Sequence, residues 1–443
     1  MKVIIIGGVA AGMSAASKFR RLNQEAEIVV YEKGGTLSYG ACGLPYFISD
    51  VNQDATLMLA KSQEDFLKMN IICHLFCEVV KLETNDKKIL VKNHKTGQLF
   101  MDQYDQLVIA TGASPIVPPF LNVHLENIKT LKSYEDGFAI KEILKRPEIS
   151  KVAIIGGGYI GVEMAEACIE LKKETRLIEL MPRVLTSFDN EFSEMAQNEM
   201  IQHGLLVSLN EKVISFKGDT RVRSIVTDKG EYPVDFVLMS VGIKPSLDFL
   251  KDVVINRAKN GAIVIDREGR TSVPDIFAAG DCAEIYHMAK QENAYIPLGT
   301  TANKMGRIVG ENLNGKHKKY IGALGSAAIK VFDMDFARTG LSESEATQLA
   351  IEYQTVMVKV NNHASYYPNP TPIWMKLIVE KDSSIIIGAQ AAGAKDVVLR
   401  IDMLAIAIQA RMTSEDVGFA DLCYAPPFAG VWDVVNVAAN AVK

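Results

Sequence analysis

One local pattern occurs twice in this chain, and that repetition limits what the chain can fold into. Residues 2–6, Lys-Val-Ile-Ile-Ile, form an apolar run of strand length. They lead into Gly7-Gly8-Val9-Ala10-Ala11-Gly12, then a helical pattern through about Leu22, then a second apolar run, Ile28 to Tyr31, ending at Glu32. Further along, Val152 to Ile155 leads into Gly156-Gly157-Gly158-Tyr159-Ile160-Gly161. A helical pattern through about Lys172 follows, and Thr175 to Ile178 ends at Glu179. Strand, glycine turn, helix, strand and carboxylate make the layout of a Rossmann dinucleotide site. The glycines let the backbone approach a pyrophosphate, the helix N-terminus attracts its charge, and the carboxylate accepts from a ribose hydroxyl. The first copy carries Val9 where the middle glycine belongs, so alone it reads equally well as an ordinary strand-turn-helix. Its recurrence in the same context implies two dinucleotides bound to one chain. A flavin and a nicotinamide form the economical pair, because one can pass hydride to the other.

The organisation follows from length and punctuation. At 443 residues the chain exceeds one compact core, so two or three domains are expected. The expected fold class is α/β, with two Rossmann-like domains and a C-terminal α/β domain. Residues 1–119 form the first segment of the first nucleotide domain. Its strand Gln106 to Ile109 runs into Ala110-Thr111-Gly112, and the run 116–119, Ile-Val-Pro-Pro, reads as a hinge. Residues 120–245 form the second nucleotide domain, closing on an apolar strand that ends at Gly242. Residues 246–322 return to the first domain through Asp275-Ile276-Phe277-Ala278-Ala279-Gly280-Asp281. Residues 323–443 form the C-terminal domain, with strand-like runs at 355–360 and 373–380 and a helical stretch at 396–411. A formal charge of −5 argues against a nucleic-acid partner. The absence of a long apolar run argues against a membrane span. Six cysteines in this length make no disulfide scaffold, and with no signal-peptide pattern the expectation is a reduced cytoplasm. No histidine pair has metal-ligand spacing, so no metal is expected.

Cys42 is the candidate reacting group. It lies in Ser38-Tyr39-Gly40-Ala41-Cys42-Gly43-Leu44-Pro45-Tyr46-Phe47, ten residues after Glu32, with no second cysteine at CxxC or CxxxxC spacing. A lone thiol cannot store two electrons as an internal disulfide. It must use an external sulfur or cycle through a sulfenic acid. Gly43 to Ile48 reads as a helix start, which would favour thiolate at Cys42. Cys73, Cys77, Cys168 and Cys282 read as packing residues, and Cys423 stays open.

Taken together, Gly7 to Gly12, Ser38 to Tyr46, Ala110-Thr111-Gly112, Gly156 to Gly161, Ala279-Gly280-Asp281 and Tyr424-Ala425-Pro426-Pro427-Phe428 resemble the pyridine nucleotide-disulfide oxidoreductase family over the whole length. The closest likeness is to its coenzyme A disulfide reductase branch. The resemblance implies FAD in the first domain, held by Gly7, Gly12, Glu32, Lys33, Val79, Ala110, Thr111, Gly112 and Asp281. It implies NADH, with NADPH possible, in the second, held by Gly156, Gly158, Tyr159, Ile160, Gly161, Glu179 and Gly242. Glu163 corresponds to a family glutamate near the nicotinamide, and reads equally as a plain helix glutamate. The resemblance further implies a homodimer in which tyrosines of two C-terminal loops, Tyr424 and one of Tyr366 and Tyr367, reach the partner's cysteine; Tyr367, just before Pro368, is favoured. Ser38 would bond the sulfur or the substrate. Ser14, Lys18 and Arg21 share one face of the first helix, where this branch meets the phosphates of coenzyme A; a solvated face explains them as well. The expected reaction is reduction of coenzyme A disulfide, persulfide or polysulfide through a Cys42 mixed disulfide. The alternatives are an NADH oxidase or peroxidase using a Cys42 sulfenic acid, and a non-catalytic thiol redox sensor. Relatives of the oxidase kind usually place a histidine within the first glycine motif, where this chain has Val9-Ala10-Ala11.

Overall fold

The computed structural model describes residues 1–443. Its first sheet is wholly parallel. The strands lie in the order Ile276–Ala278, Gln106–Ile109, Lys2–Ile6, Glu27–Tyr31, Ile71–His74. Parallel strands need crossovers, which cover both faces, so these strands read as continuous apolar runs rather than alternating ones. The edge strand Ile276–Ala278 arrives from far along the chain. Between leaving and returning, the chain builds a second parallel sheet: Leu206–Ser208, Glu174–Ile178, Lys151–Ile155, Phe236–Met239, Ile128–Lys129. The outward and return crossings pair as the antiparallel strands Ala113–Pro115 and Ile243–Pro245, with Ser114 and Ser246 hydroxyls 2.5 Å apart. The crossing thus begins just before the expected hinge at 116–119.

Helix α1, Ala10–Leu22, follows the first strand. A 3₁₀ turn, Ala41–Gly43, runs directly into helix α2, Leu44–Ile48. Helix α3, Tyr134–Leu144, is capped by Ser133 and Asp136 acting reciprocally. Helix α4, Tyr159–Glu170, follows the strand Lys151–Ile155, and helix α5, Asn190–Gln202, lies beyond it. Helix α6, Gly299–Asn312, packs along α1 so tightly that a Cβ on Gly306 would lie 2.3 Å from the Ala11 carbonyl oxygen. The C-terminal region forms a five-stranded antiparallel sheet, ordered Ala327–Val331, Met334–Gly340, Ile386–Gly393, Pro372–Glu380, Tyr353–Asn361, followed by helix α7, Val398–Gln409.

The cores do not follow sequence order. Leu44, Phe47 and Ile48 of α2, from the first segment, share one buried cluster with Ile140 and Leu144 of α3 and Val162 and Met164 of α4. The helix beside Cys42 therefore rests on the second nucleotide-binding module. No helix is long and apolar enough to cross a membrane.

Candidate active site

The two glycine turns are built alike. Gly7 has φ +107° and Gly156 φ +105°, a region closed to most side chains. A Cβ on Gly7 would lie 2.2 Å from the Ala110 carbonyl oxygen, and one on Gly156 2.5 Å from that of Ser240. Gly12 and Gly161 each pass the turn so closely that a Cβ would lie 1.9 Å from the carbonyl oxygen of Gly7 or Gly156. The middle position is different. Val9 has φ −108° and Gly158 φ −80°, so glycine is not needed there for conformation, and Val9 is tolerated. The carboxylates match too. Glu32 accepts from the Gly8 (2.7 Å) and Gly34 (2.6 Å) amides, and Glu179 from those of Gly157 (2.5 Å) and Met181 (2.7 Å).

These turns fit dinucleotides on structural grounds. A Cβ on Gly112 or Gly158 would meet nothing within 4 Å, leaving open space beside each turn. The Thr111 hydroxyl is buried without a partner, an acceptor or donor awaiting one. Gly112 and Gly242 both have positive φ and flank the paired crossing strands. Ile160 is exposed, and half-buried Tyr159 accepts from the Ser187 hydroxyl at 3.1 Å. Val79 is buried in the first core, while Lys33 is exposed and paired with Glu78 at 2.7 Å.

Cys42 sits on the 3₁₀ turn ahead of α2 rather than immediately before a helix. Its loop is tied to the first glycine turn, since the Ser38 amide donates to the Gly8 carbonyl at 2.9 Å, with Ser38 at φ +48°. Gly40 and Ala60 amides then bind the loop to residues 58–60 and back to Ser38 at 2.8 Å each. All six cysteines are free; Cys42 and Cys423 are exposed and the other four buried. The electrostatics run against the expectation of an easily formed thiolate. Partial desolvation of the sulfur raises the Cys42 pKa, the Glu163 and Asp281 carboxylates raise it further, and a backbone hydrogen bond and Lys132 lower it by less. A five-residue helix carries too little dipole to outweigh two carboxylates. Glu163, on α4, is itself pushed up to about 7 by burial and by Glu166. Asp281 pairs with Lys132 at 3.3 Å. Lys132 escaped the sequence reading because it is an unremarkable lysine one residue before a helix cap.

The remaining candidates divide. Tyr366, not Tyr367, joins Tyr424, their hydroxyls 2.7 Å apart, and that bond raises the Tyr424 pKa. Tyr367 instead packs edge-on against His363. The rings of Tyr366 and Tyr367 are both exposed. Ser14 is half-buried and Arg21 exposed, but Lys18 is paired with Glu311 of α6 at 3.0 Å. That partner lies nearly 300 residues away in sequence and left no local signal. Away from the site, Glu199 of α5 and His203 just after it meet Asp333, a grouping that spacing within one motif could not reveal. It is accounted for by Glu199 accepting from the Asp333 amide at 3.0 Å and His203 stacking on Phe332.

Two family models match: pyridine nucleotide-disulphide oxidoreductase over residues 1–306, and the dimerisation domain of the same family over residues 326–434. The chain belongs to that family. It is an FAD-dependent oxidoreductase of the NAD(P)H-using kind. It is 38% identical over 443 residues to a Pyrococcus furiosus protein named NAD(P)H sulfur oxidoreductase (CoA-dependent), covering 100% of this chain and 99% of that protein. It is 32% identical over 444 residues to an Enterococcus faecalis NADH oxidase, covering 100% and 99%. Among solved structures, reduced Bacillus anthracis CoADR-RHD superposes with TM-score 0.96 at 34% identity, covering 99% of this chain and 79% of that one.

Proposed function

We propose that this protein uses NAD(P)H to reduce the disulfide or persulfide of coenzyme A through a mixed disulfide on Cys42. One observation carries the reading: Cys42 is exposed beside the first glycine turn, and no other cysteine is bonded to it. A thiol so placed has no internal sulfur to pair with, and an external disulfide or persulfide supplies one. The thiolate attacks one sulfur of the substrate; the Cys42 S–S bond forms, the substrate S–S bond breaks, and the first thiol departs and takes a proton. Two electrons and a further proton then split the mixed disulfide, releasing the second thiol and restoring Cys42. When bound, the nicotinamide and flavin supply those two electrons. Burial and the Glu163 and Asp281 carboxylates hold Cys42 above the ordinary thiol value, so its proton must leave before the sulfur attacks. The name of the Pyrococcus furiosus relative supports the substrate class.

A second reading rests on the Enterococcus faecalis relative. There the same lone thiol would cycle through a sulfenic acid and reduce oxygen or peroxide. The first glycine motif here, Val9-Ala10-Ala11, carries no acid-base side chain to assist it. Mass spectrometry of the protein before and after reduction separates the two. A removable increment on Cys42 equal to coenzyme A supports the first reading; an increment of oxygen atoms alone replaces it with the second.

A further inference from the structure

Lys141 is a buried cation that neither nucleotide turn uses. Its side chain is 6% exposed, and its ammonium donates to the Phe47 carbonyl at 2.5 Å, pairs with Asp50 at 2.7 Å, and lies 3.8 Å from the centre of the Phe47 ring. Every one of these contacts falls on the last turn of α2 and the residues just after it. A lysine is costly to bury unless its charge is met, and here it is met only by that segment. The rest of α3 grips the same helix and the loop ahead of it. Phe138 packs on Phe47 with ring centres 4.8 Å apart, Tyr134 meets Tyr39 at 5.6 Å, and a Cβ on Gly137 would lie 2.6 Å from Leu44 Cδ2.

The helix so held is five residues long and has no capping side chain at its start. A helix of that length does not sustain itself, so its placement comes from what it is packed against. Cys42 lies on the 3₁₀ turn that continues into it. We propose that Lys141 is a positioning residue for Cys42: by fixing the C-terminal end of α2 to α3, it sets where the thiol stands relative to both nucleotide turns. The ammonium also donates to a carbonyl in the last turn of α2, a role no apolar side chain could fill. The inference rests on the reading of Cys42 as the reacting thiol, but its geometric content is separately measurable.

The experiment uses the flavin-loaded protein and three variants: Lys141→Met, Lys141→Arg and Asp50→Asn. Alkylation of Cys42 by iodoacetamide is followed across pH on the isolated Cys42 peptide, alongside disulfide turnover, bleaching of the flavin by NADH, and thermal midpoint. Lys141→Met is expected to shift the Cys42 alkylation profile and lower kcat with disulfide by about tenfold, as small displacements of reacting groups do. The KM for NADH and the bleaching rate should stay at wild-type values. Asp50→Asn should move the profile the same way by less, and Lys141→Arg should restore part of the loss. Should Lys141→Met not fold, Asp50→Asn carries the test, since Asp50 is partly exposed. An unchanged alkylation profile in Asp50→Asn and, where it folds, in Lys141→Met overturns the proposal; so does a kcat loss that merely tracks the fall in thermal midpoint or that Lys141→Arg does not relieve. Full turnover by Cys42→Ser would sink the functional reading instead, and the alkylation profile would still report on Lys141.

Discussion

At the scale of single residues, the site is a contest between one thiol and its charged neighbours. Cys42→Ser removes the sulfur while nearly preserving shape. The variant should keep its flavin absorbance, still be bleached by NADH, and lose nearly all disulfide turnover. Retention of most turnover would end the mixed-disulfide reading. Glu163 gives a sharper test. Its folded pKa of about 7 means it ionises near neutrality, and its charge then opposes the Cys42 thiolate. In Glu163→Gln that charge is gone, so the Cys42 alkylation profile should move to lower pH, and the gain in rate should be largest above pH 7. The sign also applies to stability. A carboxyl whose folded pKa lies above its unfolded value contributes stability that falls away as pH rises toward the folded value. The thermal midpoint of Glu163→Gln relative to the natural protein should therefore rise between about pH 4.5 and 7 and then level off. Donor choice is the third residue-scale matter. Glu179 has both oxygens fixed by backbone amides, beside the turn where a nucleotide's ribose would lie. The two arginines nearest to it in sequence are engaged, Arg176 with Ser208 and the face of Tyr232, and Arg183 with Asn190. The ratio of kcat/KM for NADH to that for NADPH should exceed one and fall in Glu179→Ala; a clear NADPH preference would refute the assignment. The glycines, Cys42, Glu32 and Glu179 were legible in sequence because each is tied to a local pattern. Lys132 and Lys141 were not, because their partners, Asp281, Phe47 and Asp50, are distant in the chain.

At the scale of elements, parallel strands and their helices announce themselves, while antiparallel strands of mixed pattern do not. The apolar runs at residues 2–6, 28–31, 106–109, 152–155 and 236–239 could be read directly, because burial on both faces leaves few polar positions. The strands Ala327–Val331, Met334–Gly340 and Ile386–Gly393 were missed. The last is fully buried but rich in glycine and alanine, which carry little strand preference. The small sheet Cys77–Glu83, Lys88–Asn93, Leu99–Gln103 was missed too, its short strands carrying charged residues on the open face. The α1–α6 contact could not be seen in sequence at all, since it depends on two distant segments meeting. It makes a firm prediction. Gly306→Ala places a methyl 2.3 Å from the Ala11 carbonyl oxygen, which belongs to backbone and cannot swing aside. Overpacking of this kind costs about 1–3 kcal/mol. The thermal midpoint should fall by several degrees, and flavin should be lost more readily on dilution, because Ala11 lies within the first glycine turn. A midpoint and flavin content equal to those of the natural protein would show that the helices separate at little cost.

At the scale of the molecule, the C-terminal region carries more apolar surface than one chain can cover. Leu399 and Ile406 of α7, with Phe419, Phe428, Val431 and Trp432, are all exposed. Patches of this kind mark contact surfaces, and the region lies within the match to the family's dimerisation domain. The Tyr366–Tyr424 pair projects from the same region. A working homodimer would bring this pair toward the partner's thiol. Of the two hydroxyls, the one that donates steadies the other as acceptor, so together they can pass a proton to a departing thiolate. The arrangement is open to complementation. Cys42→Ser and Tyr424→Phe chains, each impaired alone, are produced together so that mixed dimers form. Each mixed dimer then holds one site with Cys42 from one chain and Tyr424 from the other, and one site lacking both. With random pairing, half the molecules are mixed and half their sites are whole, so about a quarter of the natural activity should return. Self-contained sites would give no recovery, because Cys42 and Tyr424 would never meet unaltered within one chain. Absence of recovery with Tyr424→Phe impaired, or full activity from a monomer at low concentration, would show that each chain completes its own site.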